Sequence, residues 1–417
     1  MAIQTKQLLM IAYYFPPLGG AGVQRSAKFA KYLARLGWQV TVVSVVRPAF
    51  EPLDVTLEAE VNRIGIAVER VPYRAKFRQL DRLPGGWRLR AVLEDWLLFP
   101  DRMKAWMAPA LAVARKIVEQ NPGIVIFSTS APYTAHLIGR ELKRQYGNPW
   151  VADFRDEWSQ NPYQTTTRGY RFRRHQKAEQ TVLNEADIVI SVTETISAGL
   201  KRIAPEAAGS FFTIPNGFDP EDFRELKAVA SQQWTLTHVG TLNQAREALL
   251  LPVIQMLKDL IARNVISDTD VKLRLIGVGD WHNPEFTGLS WLAVQGYLPH
   301  SGALAAMKQC NMAILAEANP AAFTGKVFEY LGLQKPILGL VHPESPAARL
   351  IREAQAGWVV GLEANQELAE ALCQSYQDWR NGENHIRPRP EVIARFNRER
   401  QAAELARIIT EHLQHEE

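Results

Sequence analysis

The sequence predicts two doubly wound α/β domains, each built on a parallel sheet, that face each other across a cleft. Three observations support this prediction. The 417 residues exceed what one hydrophobic core usually supports. Short continuous apolar runs, typical of strands buried on both faces, alternate with segments of helical periodicity. A turn-rich seam at 214–220 interrupts this alternation, which restarts at Trp234. The pattern therefore predicts an α/β fold with two halves.

The first half of the chain begins with a β-loop-α-β unit. An apolar run at 8–15 predicts a buried strand, and the loop at 16–22 contains too many prolines and glycines for a helix or strand. Helical spacing begins at Val23 and ends at Gly37, where a helix C-cap belongs. Further strands are predicted at 40–46, 123–127, 149–154 and 188–192, and helices at 131–145 and 170–185. The segment 72–107, rich in Arg, Trp and Leu, does not fit the alternation and is predicted to be irregular.

The second half repeats the alternation after the seam. Strands are predicted at 236–240, 271–276, 293–297, 312–316, 336–341 and 358–360, with helices between them. A long amphipathic pattern at 390–412 predicts a final helix. The expected domains are 1–218 and 219–389, and the helix within 390–417 is expected to pack back on the first domain.

Composition limits the classes of function. The chain is 47% hydrophobic and 22% charged, which is ordinary for a soluble globular enzyme. Its net charge of +4 is too small to indicate nucleic acid, and it is compatible with anionic substrates or a membrane surface. Cys310 and Cys373 lack metal-type spacing. The N-terminus lacks the features of a signal peptide, and no apolar stretch reaches the length of a membrane span. We therefore expect a cytoplasmic protein, with the inner face of the membrane as a further hypothesis.

The loops that follow parallel strands are the expected ligand-binding positions. In the first of them, Gly20 and Gly22 precede a helix, which allows a phosphate-like or sugar-like ligand to approach the backbone. A tight turn without a ligand is the alternative interpretation. The dinucleotide fingerprint would need a glycine in place of Arg25 and an acidic residue after the next strand, where Arg47 stands instead. This departure argues against a nicotinamide dehydrogenase.

Hydroxyl side chains cluster at 128–134, at the predicted start of a helix. Ser128, Ser130 and Tyr133 are candidates for lining an acceptor site for a polyol. Helix capping explains one of these hydroxyls without a ligand.

Charged side chains cluster at 153–158, directly after a buried strand. Asp153, Arg155 and Asp156 are the candidate catalytic residues, for hydrogen bonding to sugar hydroxyls or for base chemistry. Trp158 is a candidate for the acceptor side. A solvated turn whose charges pair with one another is the alternative.

Two loops of the second half are candidates for binding a diphosphate. Gly240, Thr241 and Arg246 follow a strand and open a helix, where a guanidinium suits phosphate oxygens. A surface arginine is the alternative. The second loop also opens a helix and comprises Phe323, Thr324, Gly325, Lys326 and Glu329. The N–H groups of the helix start and Lys326 would bind phosphate. Glu329, one turn later, would accept hydrogen bonds from ribose hydroxyls. A plain helix face is the alternative there.

No metal or cofactor site is predicted. Asp268 and Asp270 precede a strand, which is the wrong end for a ligand, so a solvated turn is the better interpretation. The nine histidines lack metal-ligand spacing. His300 is the one histidine expected near a ligand, with a simple turn residue as the alternative.

In the loops described above, the chain resembles the family-four retaining glycosyltransferases of the GT-B fold. It looks closest to members that act in bacterial polysaccharide and glycolipid assembly. The similarity runs in order through residues 13–17 (YYFPP), 153–156 (DFRD), 215–217 (PNG), 238–241 (HVGT) and 325–331 (GKVFEYL). It covers nearly the whole chain.

The resemblance implies a donor diphosphate bound by the second half. It implies phosphate contacts from Arg246 and Lys326, and ribose binding by Glu329, the second glutamate of the family's Glu-x7-Glu motif. The backbone of Gly296, Tyr297 and Leu298 would contact the base, while Gly20 and Gly22 would meet donor phosphate or acceptor. Ala321 stands where the first glutamate of the motif would be, and Arg155 where many members carry a histidine.

The implied activity is metal-independent transfer of a hexosyl or N-acetylhexosaminyl group, with retention, from a nucleoside-diphosphate sugar to a saccharide or lipid-linked acceptor. One alternative is a sugar-nucleotide epimerase or hydrolase on the same fold. Another is a degenerate transferase that serves as a non-catalytic binding subunit. The segment 76–107, with Trp87, Trp96 and Trp106, has two interpretations: a peripheral membrane contact, or an irregular insertion that covers the core.

Overall fold

In the computed structural model of the protein, the described residues are 6–46, 53–73, 77–83, 85–161, 169–224, 226, 231–242, 244–278, 283, 286–319, 323–361 and 364–414. The chain divides into two compact units. The first comprises Met1–Pro215 and Glu399–Glu417, and the second comprises Asn216–Arg398. The chain thus returns to its first unit at Glu399, later than the expected boundary at 389.

The first unit is built on a seven-stranded parallel sheet in the order β3-β2-β1-β4-β5-β6-β7. Its strands are β1 (Gln7–Ile11), β2 (Gln39–Val45), β3 (Ala67–Val71), β4 (Val125–Ser130), β5 (Trp150–Phe154), β6 (Ile188–Ser191) and β7 (Ser210–Thr213). Its helices are α1 (Ala21–Arg35), α2 (Val55–Ile64), α3 (Gly86–Leu97), α4 (Lys104–Gln120), α5 (Thr134–Tyr146), α6 (Gly169–Glu185), α7 (Glu194–Ile203) and, at the end of the chain, α14 (Arg398–Gln414). A 3-10 helix spans Arg78–Arg82.

The second unit is built on a six-stranded parallel sheet in the order β10-β9-β8-β11-β12-β13. Its strands are β8 (Trp234–Val239), β9 (Val271–Ile276), β10 (Leu292–Gln295), β11 (Met312–Glu317), β12 (Ile337–Val341) and β13 (Gly357–Val360). Its helices are α8 (Gln244–Ala262), α9 (His300–Gln309), α10 (Lys326–Gly332), α11 (Pro346–Glu353), α12 (Asn365–Asn381) and α13 (Pro390–Ala394). A 3-10 helix spans Pro220–Phe223.

Both faces of the first sheet are covered, which explains the continuous apolar runs. Successive side chains of a strand point to opposite faces. Leu9 of β1 therefore joins one core layer with Trp106 of α4, while Leu8 joins the opposite layer with Phe29 of α1 and Leu405 of α14. The two parallel α/β sheets confirm the predicted fold class.

Each sheet has a topological switch point, which is the place beside its first strand where the strand order changes direction. Later strands lie on both sides of that first strand. In the first unit the switch point lies between β1 and β4, and in the second it lies between β8 and β11. Ligands of open α/β sheets bind outside the carboxyl ends of strands at such a point. The loops after these four strands are therefore where a site is expected.

Several elements differ from the predictions. The strands β3 and β7 were not predicted, because their residues are largely half-exposed and lack a continuous apolar run. The segment 72–107 was predicted to be irregular, which is wrong: it contains α3 and the start of α4. The start of α3 was not predicted, because it carries Gly85 and Gly86 and has no side-chain cap. The pattern at 390–412 is divided between α13 and α14. Among the described residues, no helix combines the length and apolar character that crossing a membrane requires.

Candidate functional site

The glycine loop of the first unit leads from β1 into α1 at the switch point. Gly20 has a φ of 95°, a conformation that side chains disfavour, and it is exposed. A Cβ added to Gly22 would lie 3.0 Å from Nη1 of Arg155. A side chain at position 22 would therefore crowd this guanidinium.

Arg155, a predicted catalytic residue, binds three backbone carbonyls. Its guanidinium donates to the carbonyl oxygens of Gly22 and Ser130, and to that of Ala131 at 2.8 Å. Burial lowers the pKa of Arg155, against the opposing effect of nearby Asp156 and Asp153. The side chain thus fixes the loops after β1 and β4 relative to the end of β5.

Asp153 is fully buried, and both of its carboxylate oxygens contact protein groups. Arg25 donates to Oδ1 from Nη2 at 2.7 Å and to Oδ2 from Nε at 3.1 Å. Thr129 donates its hydroxyl to Oδ2 at 2.7 Å, and Arg25 Nη1 donates to the carbonyl of Pro215 at 3.0 Å. These contacts describe an internal ion pair that joins α1 to β5. The geometry therefore does not support the predicted catalytic role of Asp153.

Asp156 is exposed directly after this buried cluster. Of the three predicted catalytic residues, it is the one whose carboxylate faces solvent. It remains a candidate for contact with a substrate.

Trp158 and Tyr133 were predicted on the acceptor side, but both side chains pack in the core. Trp158 is 0% exposed and stacks on the Tyr133 ring at 4.7 Å between centroids. Its Nε1 donates to Nδ1 of His175 at 3.0 Å, and the Tyr133 hydroxyl donates to the carbonyl of Glu157 at 2.5 Å. Burial raises the pKa of Tyr133. This pair stabilises the turn at 157–161 from within the core. The prediction that Trp158 and Tyr133 line an acceptor site is corrected accordingly.

Ser128 and Ser130 lie in β4 and not at a helix start. Ser128 Oγ accepts from Nε1 of Trp150 at 2.8 Å and bonds to Nδ1 of His136 at 2.8 Å. Burial lowers the pKa of His136 to about 3. Ser130 Oγ is buried without a hydrogen-bond partner among the described residues.

The start of α5 is capped by Asp101 and not by one of these serines. Oδ2 of Asp101 accepts from the amide of Thr134 at 2.9 Å.

In the second unit, Arg246 connects the ends of the two strands that flank the switch point. From the first turn of α8 its Nη2 donates to Oε2 of Glu317 at 2.8 Å, and its Nη1 donates to the carbonyl and hydroxyl oxygens of Thr241 at 3.1 and 3.2 Å. Glu317 ends β11, is 7% exposed, and accepts at Oε1 from the amide of Asn319 at 3.1 Å. Gly240 and Thr241 provide the backbone above β8. The guanidinium is thus held in place at the carboxyl edge of the sheet.

Lys326 and Glu329 form a second charged group after β11. One face of the short helix α10 is buried in the core by Val327, Phe328, Tyr330 and Leu331. Lys326 and Glu329 lie on the other side, where their Nζ and Oε2 atoms are 2.8 Å apart. Phe323 packs on Phe328 before the helix, and Thr324 and Gly325 are half-buried.

The segment after β10 presents both backbone and side chain. The carbonyl of Gly296 accepts from the amide of Gly277 at 3.1 Å. Tyr297 is 53% exposed, while Leu298 packs against the core of the unit. Directly after this segment, His300 begins α9 and lies 3.8 Å from Glu329 through Nδ1.

Three residues that matter here were missed or interpreted differently from sequence. Glu317 was overlooked, although it is the only charged residue of β11. Arg25 was considered only as a missing glycine. Asp222 was not considered, and its Oδ2 lies 3.2 Å from Nε2 of His300. Ala321, where a glutamate was expected from the resemblance, lies outside the described residues.

Comparison with known proteins agrees with this architecture. Residues 19–217 match the family described as a glycosyl transferase 4-like domain. No curated protein matches the sequence. A glycosyltransferase from Rickettsia africae superposes with a TM-score of 0.65 at 15% identity, over 99% of this chain and 100% of that chain.

Two further solved structures are similar over nearly their whole length. Anabaena HepE, in complex with UDP and glucose, gives a TM-score of 0.62 at 14% identity, over 97% of this chain and 99% of that one. Sucrose-phosphate synthase from Thermosynechococcus elongatus gives 0.61 at 16% identity, over 97% and 98%. At these identities the similarity establishes the fold.

Two parallel α/β units with charged loops at their switch points, together with the matched domain, define a glycosyltransferase of the GT-B fold. More particularly, residues 19–217 match the glycosyl transferase 4-like domain, in agreement with the resemblance to the family-four glycosyltransferases.

Proposed function

We propose that this protein transfers a hexosyl or N-acetylhexosaminyl group from a nucleoside-diphosphate sugar to a hydroxyl of a saccharide or lipid-linked glycan. The observation that supports it is the pair of cations at the switch point of the second unit, Arg246 beside Glu317 and Lys326 beside Glu329. In this proposal the transfer retains configuration and needs no metal ion.

The two cations are proposed to bind the donor diphosphate. A guanidinium carries five N–H donors and binds two anions at once, so Arg246 can contact Glu317 and a phosphate together. Lys326 adds a point charge at the start of α10. The charge that develops on the leaving diphosphate is then stabilised by fixed side chains, which is the role a metal ion plays elsewhere. The leaving phosphate would itself accept the proton of the acceptor hydroxyl.

Glu329 is proposed to accept from the ribose hydroxyls, and Gly296, Tyr297 and Leu298 to contact the base. Because Anabaena HepE was solved with UDP and with UDP-glucose, a uridine nucleotide is the first donor to test. On the acceptor side, the exposed Gly20 and Asp156 are the proposed contacts of the first unit.

A ligand screen tests the donor proposal directly. In EDTA, a nucleoside diphosphate at about 100 times its dissociation constant should stabilise the protein by about 2.7 kcal/mol, a shift that thermal unfolding detects. UDP, GDP, ADP, their common sugar conjugates and NAD form the panel. Lys326→Met should lose most of the shift, because the ammonium group is removed while the length of the side chain is nearly kept. A shift with NAD alone would contradict the proposal.

Product analysis separates the remaining alternatives. A transferase consumes donor only with an acceptor, a hydrolase consumes it without one, and an epimerase releases an isomer of the donor. A non-catalytic subunit would bind the nucleotide and convert nothing.

We further propose that α3 contacts an anionic membrane that carries the acceptor. Five of the twelve exposed large hydrophobic side chains in the described chain lie within 15 residues: Leu83, Trp87, Leu89, Val92 and Leu97, each 49–62% exposed. The surrounding sequence 70–104 contains nine basic and four acidic residues, a net charge of +5, whereas the whole chain carries +4. Exposed apolar side chains within a basic segment suit the interface of an anionic bilayer. Trp106 is 0% exposed and takes no part, and the side chain of Trp96 lies outside the described residues.

Vesicle co-sedimentation tests this membrane contact. The double variant W87S/V92S is expected to bind vesicles of phosphatidylcholine with phosphatidylglycerol at least about ten-fold more weakly, because burying each large apolar side chain is worth roughly 1.5–3 kcal/mol. Binding should also fall as salt is raised. The matched control is V265S/V294S, at two exposed valines of the second unit. Equal binding by all three proteins, or none by the native one, would reject the membrane contact while leaving the donor proposal intact.

A further inference from the structure

His300 lies between two carboxylates of the second unit. Its Nε2 is 3.2 Å from Oδ2 of Asp222, and its Nδ1 is 3.8 Å from Oε1 of Glu329. The other oxygen of Glu329 bonds to Lys326 at 2.8 Å. The three side chains of Asp222, His300 and Glu329 are only 16%, 12% and 12% exposed. A nearly enclosed row of polar side chains thus leads to the carboxylate proposed to bind ribose.

Asp222 is held in place by both helices that contribute to this row. Phe218 and Phe223 precede and follow Asp222 in the sequence, and their rings stack on each other. Gly332, at the end of α10, packs against both rings, because a Cβ added there would lie 2.6 Å from each of them. From α9, Lys308 donates to the carbonyl of Phe223 at 3.4 Å. The short 3-10 helix that carries Asp222 is therefore fixed against α9 and α10.

The two sides of Glu329 are held differently. Lys326 lies one turn away on the same helix, with 28% of its side chain exposed, and contacts one oxygen of the carboxylate. His300 comes from another helix and is anchored by Asp222. Asp222 accepts a hydrogen bond from Nε2 of the imidazole, which turns the opposite ring nitrogen, Nδ1, toward Oε1 of Glu329 at 3.8 Å. A carboxylate must keep its plane fixed to accept from two neighbouring hydroxyls at once.

We propose that His300, anchored by Asp222, is a positioning residue that orients the Glu329 carboxylate toward the ribose of the donor. The inference rests on the proposed nucleotide site and adds a specificity determinant to it. The competing explanation is that His300 merely ties α9 to the 3-10 helix. The two differ in one respect: only a positioning residue controls how strongly the site distinguishes ribose from deoxyribose.

The experiment measures that distinction in the full chain by calorimetry. Dissociation constants are obtained for UDP and 2′-deoxy-UDP, and for the adenosine and guanosine pairs, and the deoxy-to-ribo ratio is compared among variants. The native protein is expected to bind one ribonucleotide about ten-fold better than its deoxy analogue, as a hydrogen bond to a charged group predicts. Glu329→Gln should reduce the ratio to about two or less, because a neutral amide accepts more weakly than a carboxylate.

His300→Phe and Asp222→Asn are expected to lower the ratio to about three or less while leaving deoxynucleotide affinity within about two-fold, because the phosphate contacts persist. His300→Gln keeps an N–H donor, guards against a folding defect, and should give an intermediate ratio. The matched control is His385→Phe, which breaks a similar His–Asp pair. Nδ1 of His385, in the loop after α12, lies 2.7 Å from Oδ1 of Asp378 on that helix. This variant should keep the native ratio.

The outcomes separate the two proposals. A native ratio near ten that His300→Phe and Asp222→Asn both retain would overturn the positioning role and leave the nucleotide site standing. A native ratio near one would reject the ribose assignment of Glu329, and with it the inference. Equal weakening of ribo- and deoxynucleotides by His300→Phe would assign this residue to the structural role alone.

Discussion

Arg246→Ala is expected to lower kcat/KM for sugar transfer by about 10²- to 10³-fold, the usual cost of removing one fixed group that stabilises charge in a transition state. The guanidinium is already held at the switch point by Glu317 and Thr241, so its charge needs no reorganisation as the diphosphate leaves. Arg246→Lys should recover only part of the loss, because an ammonium group lacks the bidentate geometry. Steady-state kinetics with the donor identified by thermal shift measures the effect.

A matched control for Arg246 is available at the other end of the same helix. Arg263 follows α8 directly and is exposed. Arg263→Ala should leave kcat and KM unchanged, because a solvated arginine far along the helix cannot reach the loop after β8. Glu317→Gln is expected to act between these extremes, since it keeps the size of the carboxylate but removes its charge. Unchanged turnover in Arg246→Ala would reject the assignment of the donor site.

Much of the fold could be predicted because apolar strand segments bounded by turns alternate with segments of helical periodicity. The span of β9 matches its prediction residue for residue, since VKLRLI is bounded by turns on both sides. The edge strands β3 and β7 could not be found, because an edge strand is only half covered and does not need a continuous apolar run. The helix α3 was missed because two glycines stand at its start, it has no side-chain cap, and its exposed apolar side chains do not follow a single helical face.

The candidate site divides in the same way. Arg246 and Lys326 could be located because basic side chains at the start of a helix after a strand have a clear local pattern. The partners of such groups are a different matter: Arg25 and Asp153 are 128 residues apart in sequence. Sequence proximity suggested instead that Asp153, Arg155 and Asp156 act together. In the structure the first two face inward to protein partners, and Asp156 alone of the three is exposed.

The buried pair of Arg25 and Asp153 leads to the largest expected effect on stability. Their side chains are 1% and 0% exposed, and 2.7 Å separates Nη2 from Oδ1. Arg25→Met would leave the carboxylate buried and uncompensated, which typically costs about 3–5 kcal/mol. The double variant R25M/D153L, which removes both charges, should recover most of that loss. Urea denaturation followed by circular dichroism measures the free energy of unfolding, with the transition of the first unit analysed separately because a two-unit chain need not unfold in one step.

An exposed ion pair in the same unit is the control for this prediction. Arg407 and Glu404 of α14 are as close, at 2.6 Å, but 50% and 46% exposed. Arg407→Met should leave the midpoint of denaturation where it is, because water already solvates both charges. If Arg25→Met changed stability no more than Arg407→Met, Asp153 would not depend on its partner, and its carboxylate would again become a candidate for chemistry. If Arg25→Met unfolds the first unit and R25M/D153L restores it, the ion pair joins α1 to β5 as part of the scaffold that supports the glycine loop.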